Sequence, residues 1–135
     1  MTTLARCLLA FLLFSLCSCS TLPAYHYGSP SKDNSIQNVS MINLIATPER
    51  YEGKLVRVNE YVTAGFEVEA IWFGDHAGDP QDALWLDLND ELLRDSERFD
   101  CRYCLVEGIF TSQERGHMGA YSGTIKNVGR LMVWW

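Results

Sequence analysis

Apolar residues change their spacing along the chain, and the change predicts where helices and strands form. From Val56 onward apolar and polar residues alternate, which is typical of strands with one buried face. Short apolar groups follow Ser40 and Asn89, and both of these polar residues are suited to cap a helix. The predicted strands cover residues 54–62, 66–73, 84–89, 103–110 and 124–134, and the predicted helices follow Ser40 and cover 91–99.

The order of these elements predicts the fold class. A five-stranded Greek-key barrel with a helix between its third and fourth strands is the plan of an OB fold. We therefore predict a mainly β protein, a small five-stranded OB-like Greek-key barrel with a short N-terminal helix and a helix between strands 3 and 4. Gly108 within the fourth strand predicts a β-bulge or a sharp bend. A small β-sandwich or an open sheet is the alternative architecture.

The first 18 residues follow a different pattern, a nearly unbroken apolar stretch behind a weakly basic start. Arg6 precedes this stretch, as in a secretory signal peptide, and the stretch is shorter than the roughly 20 apolar residues of a membrane-spanning helix. Residues 16–19, Leu-Cys-Ser-Cys, resemble the lipobox of bacterial lipoproteins. The resemblance implies cleavage before Cys19 and attachment of a lipid to its thiol. Cys17 is the rival acceptor, and a plain secretory signal is the alternative.

The same resemblance predicts where the protein works. A lipid on Cys19 would hold the mature chain at a cell membrane, on the periplasmic side. Ser20 after the acceptor favours the outer membrane, and the inner membrane stays open as the alternative. The following residues are rich in Ser, Pro, Gly and Asn and lack an apolar period, so we predict a flexible tether. The expected organisation is a signal peptide over 1–18, a tether over 19–35 and an OB-like β-barrel domain over 36–135.

The charge balance limits the partners. Residues 1–18 hold one of the 11 basic residues and none of the 17 acidic residues, so the mature chain carries a net charge of −7. An acidic chain without a basic patch is a poor match for nucleic acid, whose phosphates require clusters of Lys and Arg. It is an equally poor match for an anionic lipid surface. We therefore expect no nucleic acid partner and a membrane contact made through the lipid on Cys19.

Cys101 and Cys104 form a CxxC motif and are the candidate redox pair. In an extended strand their Cα atoms would lie about 10 Å apart. A disulfide needs roughly 4.4–6.8 Å. We expect Cys104 on the buried face of the fourth strand and Cys101 at its start. A structural disulfide, which an oxidising periplasm permits, and thiol-redox catalysis are the alternatives.

Neither a metal nor another cofactor is predicted. His26, His76 and His117 are scattered, and one CxxC motif lacks the second ligand pair of a structural zinc site. The acidic loop 74–82 offers oxygens to a hard cation, but its spacing does not match the known calcium loop. We interpret this loop as a solvated turn.

The glycine-rich loop 116–123 is the candidate binding loop. Its three glycines let backbone amides approach a ligand, or serve a tight turn, and the side chains that could line a small site are His117, Met118, Tyr121 and Ser122. No nucleophile with its base and orienting residue is evident. The loop together with residues 85–88 resembles a family of small uncharacterised bacterial proteins, and residues 48–58 resemble the entry into the first strand of several OB-like bacterial families. The resemblance spans about 39–133 and implies the fold without a reaction.

We therefore expect a lipid-anchored, periplasm-facing lipoprotein that is not an enzyme. It would act as a binding or interaction module in envelope maintenance or the envelope stress response, with the membrane and an envelope protein as partners. One alternative is an immunity or inhibitor protein against an envelope toxin, and another is a thiol-redox protein using Cys101 and Cys104. Trp134 and Trp135 are expected to pack over the end of the barrel, with contact to the bilayer as the alternative.

Overall fold

The computed structural model describes residues 24–134, and these residues form a closed β-barrel with two short strands on its outside. The strands within this range are β1 (His26–Gly28), β2 (Gln37–Asn38), β3 (Leu55–Gly65), β4 (Val68–Trp72), β5 (Ala83–Leu86), β6 (Arg102–Thr111) and β7 (Thr124–Val133). The helices are α1 (Met41–Ala46) and α2 (Asp90–Arg94). Single 3₁₀ turns cover Pro48–Arg50, Pro80–Asp82, Ser96–Arg98 and His117–Gly119.

Five of the strands close the barrel. Going round it, β3 pairs with β4, β4 with β5, β5 with β7, β7 with β6, and β6 with β3 again. The β5–β7 pair is parallel and the other four are antiparallel. The helix α2 lies between the third and fourth barrel strands, β5 and β6. The predicted fold class, a small OB-like barrel, is confirmed.

The alternation in the sequence places one face of each strand inside the barrel. The strand side chains that are fully buried inside the barrel are Val56, Val62, Ile71, Leu84, Leu86, Cys104, Val106, Phe110, Ile125 and Leu131. Ser40 caps α1, with its side chain accepting a hydrogen bond from the Asn43 amide at 3.3 Å. The bulge predicted at Gly108 is present, because the register of β6 against β7 shifts there. A Cβ at Gly108 would lie 2.6 Å from the Ile125 side chain.

Two element boundaries differ from the prediction. Phe66 is not the first buried residue of a strand, since it lies in the tight turn between β3 and β4 and is 92% exposed. The helix predicted over 91–99 ends at Arg94 and continues as a 3₁₀ turn. Asp95 and Ser96 stand at that change, and both have weak helix propensity because their side chains compete for backbone hydrogen bonds.

The described part of the segment predicted as a flexible tether is folded onto the barrel. β1 pairs antiparallel with β7, placing His26 opposite Met132. β1 can pair with this edge of β7 because β5 pairs only with Thr124 and Ile125, at the beginning of the strand. The remaining backbone groups on that edge of β7 are free to take a further strand. The prediction of a flexible tether over 19–35 is therefore wrong for residues 25–28 and for Ser31, whose amide is bonded to Glu107.

Tyr25 fixes this segment to the barrel. It is 5% exposed, and its ring stacks on Phe99 with a centroid distance of 5.4 Å. Its hydroxyl donates to an Asp95 carboxylate oxygen at 3.2 Å, and the Arg98 guanidinium lies 4.7 Å from the ring centroid. Burial, aided by Asp95, raises the pKa of Tyr25 to about 12. Tyr25 is therefore a core residue, although it lies in the segment predicted as a tether.

Glu107 joins the same segment to the outer surface of β3, β6 and β7. Its carboxylate accepts hydrogen bonds from Arg57 at 2.8 Å, from Arg130 at 3.0 Å and from the Ser31 amide at 3.1 Å. Glu107 is 2% exposed. Burial alone would raise the pKa of Glu107, but these hydrogen bonds outweigh it and hold the pKa below the usual range of a glutamate.

We expect Tyr25→Phe to lower the free energy of unfolding by about 1 kcal/mol, the usual worth of one hydrogen bond. The ring contacts with Phe99 and Arg98 remain, so only the bond to Asp95 is lost. Urea unfolding of both proteins measures the difference. Tyr51→Phe is the matched control, since the hydroxyl of this half-buried tyrosine bonds no group within residues 24–134. An equal loss in both variants would contradict the role of the Tyr25 hydroxyl.

The predicted signal peptide over 1–18, the predicted lipidation site Cys19 and the residue Trp135 lie outside the described residues. Between residues 24 and 134, no helix has the length and apolar character to cross a membrane.

Candidate functional site

A second apolar cluster lies on the outer surface of β4 and β5. Trp72 and Trp85 point outward because alternate residues of a strand face opposite sides, and their neighbours Ile71 and Leu84 fill the barrel. The indole nitrogen of Trp72 donates to the Thr63 hydroxyl at 2.8 Å. In OB folds this face and the loops beside it commonly form the binding surface.

The β6–β7 loop, residues 112–123, folds over this face. Tyr121 packs edge-on against both indoles, with centroid distances of 6.1 Å to Trp72 and 5.3 Å to Trp85. Its amide donates to the carbonyl of Arg115 at 3.1 Å, and the Arg115 guanidinium donates back to the Tyr121 carbonyl at 2.7 Å. The Ser122 hydroxyl donates to the carbonyl of Gln81 at 2.5 Å. These bonds hold the loop in one place on the barrel.

Glu52 holds the start of the loop. Its carboxylate accepts from the Thr111 hydroxyl at 2.6 Å and from both the amide and the hydroxyl of Ser112 at 2.8 Å. These hydrogen bonds lower the pKa of Glu52. The hydrogen bond from the Ser112 backbone amide has the largest effect, and those from the Thr111 and Ser112 hydroxyl groups add to it. Sequence reasoning missed this residue, because the partners are 59 and 60 positions away along the chain.

Gly116 lets the loop lie directly on Trp85. Its φ of 61° and ψ of −154° are accessible to glycine and strained for other residues. A Cβ at this position would lie 2.5 Å from the Trp85 Cβ. The next residue, His117, stacks its ring on Trp85 with a centroid distance of 6.4 Å, and Met118 projects from the tip with 89% of its surface exposed.

An open cleft of about 460 Å³ lies between the loop and the barrel. Its lining residues carry an indole ring, both signs of charge and a hydroxyl: Trp85, Asp87, Glu114, Arg115, Gly116, Thr124 and Lys126. The Lys126 ammonium lies 2.6 Å from a Glu114 carboxylate oxygen, and this pairing raises the pKa of Lys126. Such a set of groups can accept a polar ligand or a partner side chain through hydrogen bonds and ring contacts.

The structure divides the four predicted binding residues into two pairs. His117 and Met118 remain exposed beside the cleft. Tyr121 and Ser122 have structural roles. Tyr121 is 5% exposed and packs against two indoles, and the Ser122 hydroxyl donates to the Gln81 carbonyl. Sequence reasoning did not select Trp85, although its outward position between Leu84 and Leu86 follows from the alternation of β5.

The two cysteines of the CxxC motif are free thiols in different surroundings. Cys104 is fully buried in β6, and burial raises the pKa of its thiol to about 12. Cys101 precedes β6 and is exposed, with a φ of 56°. Their placement agrees with the interpretation of Cys104 as a core residue. Burial of Cys104 also disfavours thiol–disulfide exchange, because a nucleophile needs an accessible thiolate.

We expect Cys101 and Cys104 to differ sharply in their reaction with a maleimide. In the folded protein at neutral pH, Cys101 should be labelled within minutes, and Cys104 should be labelled only after unfolding in urea. Mass spectrometry of tryptic peptides measures the label on each cysteine, and the urea-treated sample is the control. Equal labelling of both thiols in the folded protein would contradict the burial of Cys104.

The acidic loop 74–82 forms a turn with local bonds. Asp79 accepts from the Gln81 amide at 2.9 Å, and His76 and Asp75 form an exposed pair with a nitrogen–oxygen distance of 2.6 Å. Within residues 24–134, no three His, Cys, Asp or Glu side chains are grouped as a metal site would require.

The chain matches no protein-family model, no curated protein and no solved structure in comparisons with known proteins.

Proposed function

We propose that this protein is a periplasm-facing lipoprotein, anchored by a lipid on Cys19, whose barrel is a non-catalytic binding module. Its binding surface is the cleft between the β6–β7 loop and the barrel, together with the exposed His117 and Met118. The process we propose is envelope maintenance or the envelope stress response. The observation that carries the proposal is an open cleft beside a loop that is fixed at both ends.

The fixed position of the loop supports binding. A surface that is ordered before binding loses less conformational entropy when a partner arrives. Glu52 orders the beginning of the loop, and Tyr121 and Ser122 order its end. The exposed tip between them, with Met118, supplies a flexible apolar side chain that adapts to irregular surfaces.

The charges of the cleft favour an envelope protein or a small polar envelope ligand. Asp87 and Glu114 lie close to Arg115 and Lys126, so the surface carries both signs of charge. A phosphate backbone would require a predominantly basic surface. A protein surface commonly offers mixed charges around an apolar or aromatic centre, and here Trp85 provides the aromatic group.

Crosslinking in living cells tests the binding surface. A photoreactive benzophenone amino acid at position 118 should give a specific crosslinked product with an envelope protein. Asp87→Arg should reduce the yield of that product at least several-fold, because it reverses a charge on the cleft. Glu49→Arg makes the same charge change at an exposed residue outside the cleft and should leave the yield unchanged. Equal yields in both variants would exclude the cleft as the contact surface.

Palmitate incorporation tests the anchor. Cells grown with labelled palmitate should label the wild-type chain, and Cys19→Ala should abolish the label. Undiminished labelling of Cys19→Ala would assign the lipid to another residue, with Cys17 the first candidate. No label on the wild-type chain would contradict the lipoprotein proposal.

A further inference from the structure

The pairing of β1 with β7 determines where the N-terminal chain leaves the barrel. The Val133 amide donates to the Tyr25 carbonyl at 3.0 Å, in line with the pairing of His26 and Met132. The chain that precedes Tyr25 therefore leaves the barrel beside Val133, the last residue of β7. The same end of the barrel carries Phe99, on which Tyr25 stacks, and α2, whose N-cap residue Asn89 donates a hydrogen bond to the Tyr27 hydroxyl at 2.7 Å. We call it the anchor end, defined by Tyr25, α2 and Trp134.

The proposed lipid would hold this end close to the membrane. Only five residue steps separate Cys19 from Ala24, the first described residue. A fully extended chain covers at most about 3.6 Å per residue, so Ala24, the neighbour of Tyr25, stays within about 18 Å of the lipidated residue. A flexible tether of 17 residues would have left the orientation of the barrel open, and the docking of Tyr25 removes most of that freedom.

An exposed tryptophan lies where the chain would meet the bilayer. Trp134 follows β7 directly, and its amide donates to the Tyr103 carbonyl at 3.2 Å. Its side chain is 54% exposed. Trp134 therefore packs on the barrel with part of its surface and leaves about half of it open to solvent. Tryptophan favours the interface between lipid headgroups and acyl chains, because its ring is apolar and its N–H can bond to water.

The β3–β4 turn adds apolar surface at the same end. Phe66 at its tip is 92% exposed, and Leu93 on α2 is 39% exposed. The two residues line a second open cleft of about 420 Å³, so the turn and α2 lie side by side. Together with Trp134, they place three exposed large apolar side chains at the anchor end.

We infer that the barrel stands on the bilayer with its anchor end, so that Trp134 and Phe66 contact the lipid interface and the cleft faces away. This orientation rests on the lipid anchor of the proposed function. One acyl chain alone binds a membrane only marginally, and a second contact strengthens the attachment. The binding cleft is displayed at the other end of β7: nine residue steps separate Thr124 from Val133, about 30 Å along the strand.

The contact does not depend on anionic lipid. Around α2 the acidic residues Asp90, Glu91, Asp95, Glu97 and Asp100 outnumber the basic residues Arg94, Arg98 and Arg102, which leaves this end a net charge of −2 (3 minus 5). Carboxylates gain nothing from a negatively charged leaflet. The aromatic side chains should therefore reach the interface of zwitterionic bilayers at least as well as that of anionic ones.

Quenching of tryptophan fluorescence by brominated lipid tests the orientation. The full-length lipidated protein is reconstituted into vesicles of phosphatidylcholine with brominated acyl chains. We expect clear quenching of the wild-type protein and a loss of most of it in Trp134→Phe/Trp135→Phe. The remaining indoles, Trp72 and Trp85, lie on the outer surface of β4 and β5 and should stay unquenched. Unchanged quenching in the double variant would overturn the inference.

Two further variants show which end of the barrel contacts the bilayer. In the Trp134→Phe/Trp135→Phe protein, Phe66→Trp should restore quenching, whereas Met118→Trp should not. Both positions are almost fully exposed, at 92% and 89%, so neither substitution disturbs packing. Quenching of Met118→Trp equal to that of Phe66→Trp would overturn the orientation.

Palmitate labelling of the same samples separates the two proposals. A wild-type chain that carries palmitate but shows no quenching contradicts the orientation and leaves the anchor in place. A wild-type chain without palmitate contradicts the anchor and, with it, the orientation.

Discussion

Glu107→Gln should lower the free energy of unfolding by about 3 kcal/mol, the scale expected when one partner of a buried ion pair is removed. The glutamate is nearly inaccessible, and its carboxylate is shared by Arg57 and Arg130. Glutamine keeps the shape of the side chain but leaves two guanidinium groups beside each other without a countercharge. If the glutamine oxygen accepts the hydrogen bonds from the two arginines, the amide nitrogen takes the place of the other carboxylate oxygen. That nitrogen cannot accept the hydrogen bond from the Ser31 backbone amide. Urea unfolding at pH 7 measures the loss.

The same substitution at an exposed ion pair is the control. Glu114→Gln removes the carboxylate that pairs with Lys126, and the two side chains are 57% and 34% exposed. Ion pairs in contact with water contribute little, because solvent screens both charges. We expect this variant to unfold almost like the wild type. A loss as large as that of Glu107→Gln would contradict the importance of burial.

The contribution of Glu107 should also depend on pH. Its pKa is lowered in the folded protein, so the charged form is favoured by folding. The stabilisation is complete above the pKa of an unfolded glutamate, about 4.3, and is lost as the pH falls from there through the lower pKa of the folded state. The difference in stability between wild type and Glu107→Gln should therefore shrink as the pH is lowered from 6 to 3. A difference that is constant over this range would contradict the low pKa of Glu107.

Gly116→Ala should destabilise the protein by about 3 kcal/mol and loosen the β6–β7 loop. Strain at this backbone conformation accounts for about 1–3 kcal/mol. The added methyl group would also lie within 2.8 Å of three atoms of Trp85, so the loop or the indole must move. Tryptophan fluorescence should shift to longer wavelength, because Trp85 and Trp72 gain contact with water when the loop lifts. Urea unfolding and emission spectra measure the two effects.

Gly119→Ala is the matched control in the same loop. Gly119 also has a positive φ, 67°, but a Cβ there would meet nothing within 4 Å. This variant carries only the backbone cost, about 1–2 kcal/mol, and should leave the emission spectrum unchanged. If both variants shift the emission equally, the contact between Gly116 and Trp85 does not hold the loop.

Gly116→Ala should also weaken the proposed binding, because it loosens the packing of the loop on Trp85. The loop positions Met118 and forms one wall of the cleft. A loosened loop should lower the yield of the crosslink at position 118, whereas Gly119→Ala should preserve most of it. The effect on binding and the effect on stability therefore have the same cause, the close approach of Gly116 to Trp85.

Much of the fold could be predicted because its cause is local. The alternation through Val56 and Val58, and again through Leu84 and Leu86, follows from the transfer of one strand face out of water. Each of these residues is fully or almost fully buried. The bulge at Gly108 and the cap at Ser40 were also predictable, because both depend on the residue itself and its immediate neighbours.

The candidate site could be predicted only in part. The glycines of the β6–β7 loop marked the segment, but its sequence did not show which side chains remain exposed. Tyr121 and Met118 are both large and apolar, and only the outward indoles of β4 and β5 determine that the first is buried. The bond from Ser112 to Glu52 joins residues that no periodic pattern connects.

The sequence by itself determined the barrel, the places where its helices begin and the burial of Cys104, because these follow from how neighbouring residues divide between water and a core. Only the tertiary structure decided that Tyr25 belongs to the core and that the β6–β7 loop covers the outer face of the barrel. Both depend on surfaces that exist after the strands have paired: the free edge of β7, and the two indoles on β4 and β5. Such surfaces are built from residues far apart in the chain, so no local pattern encodes them.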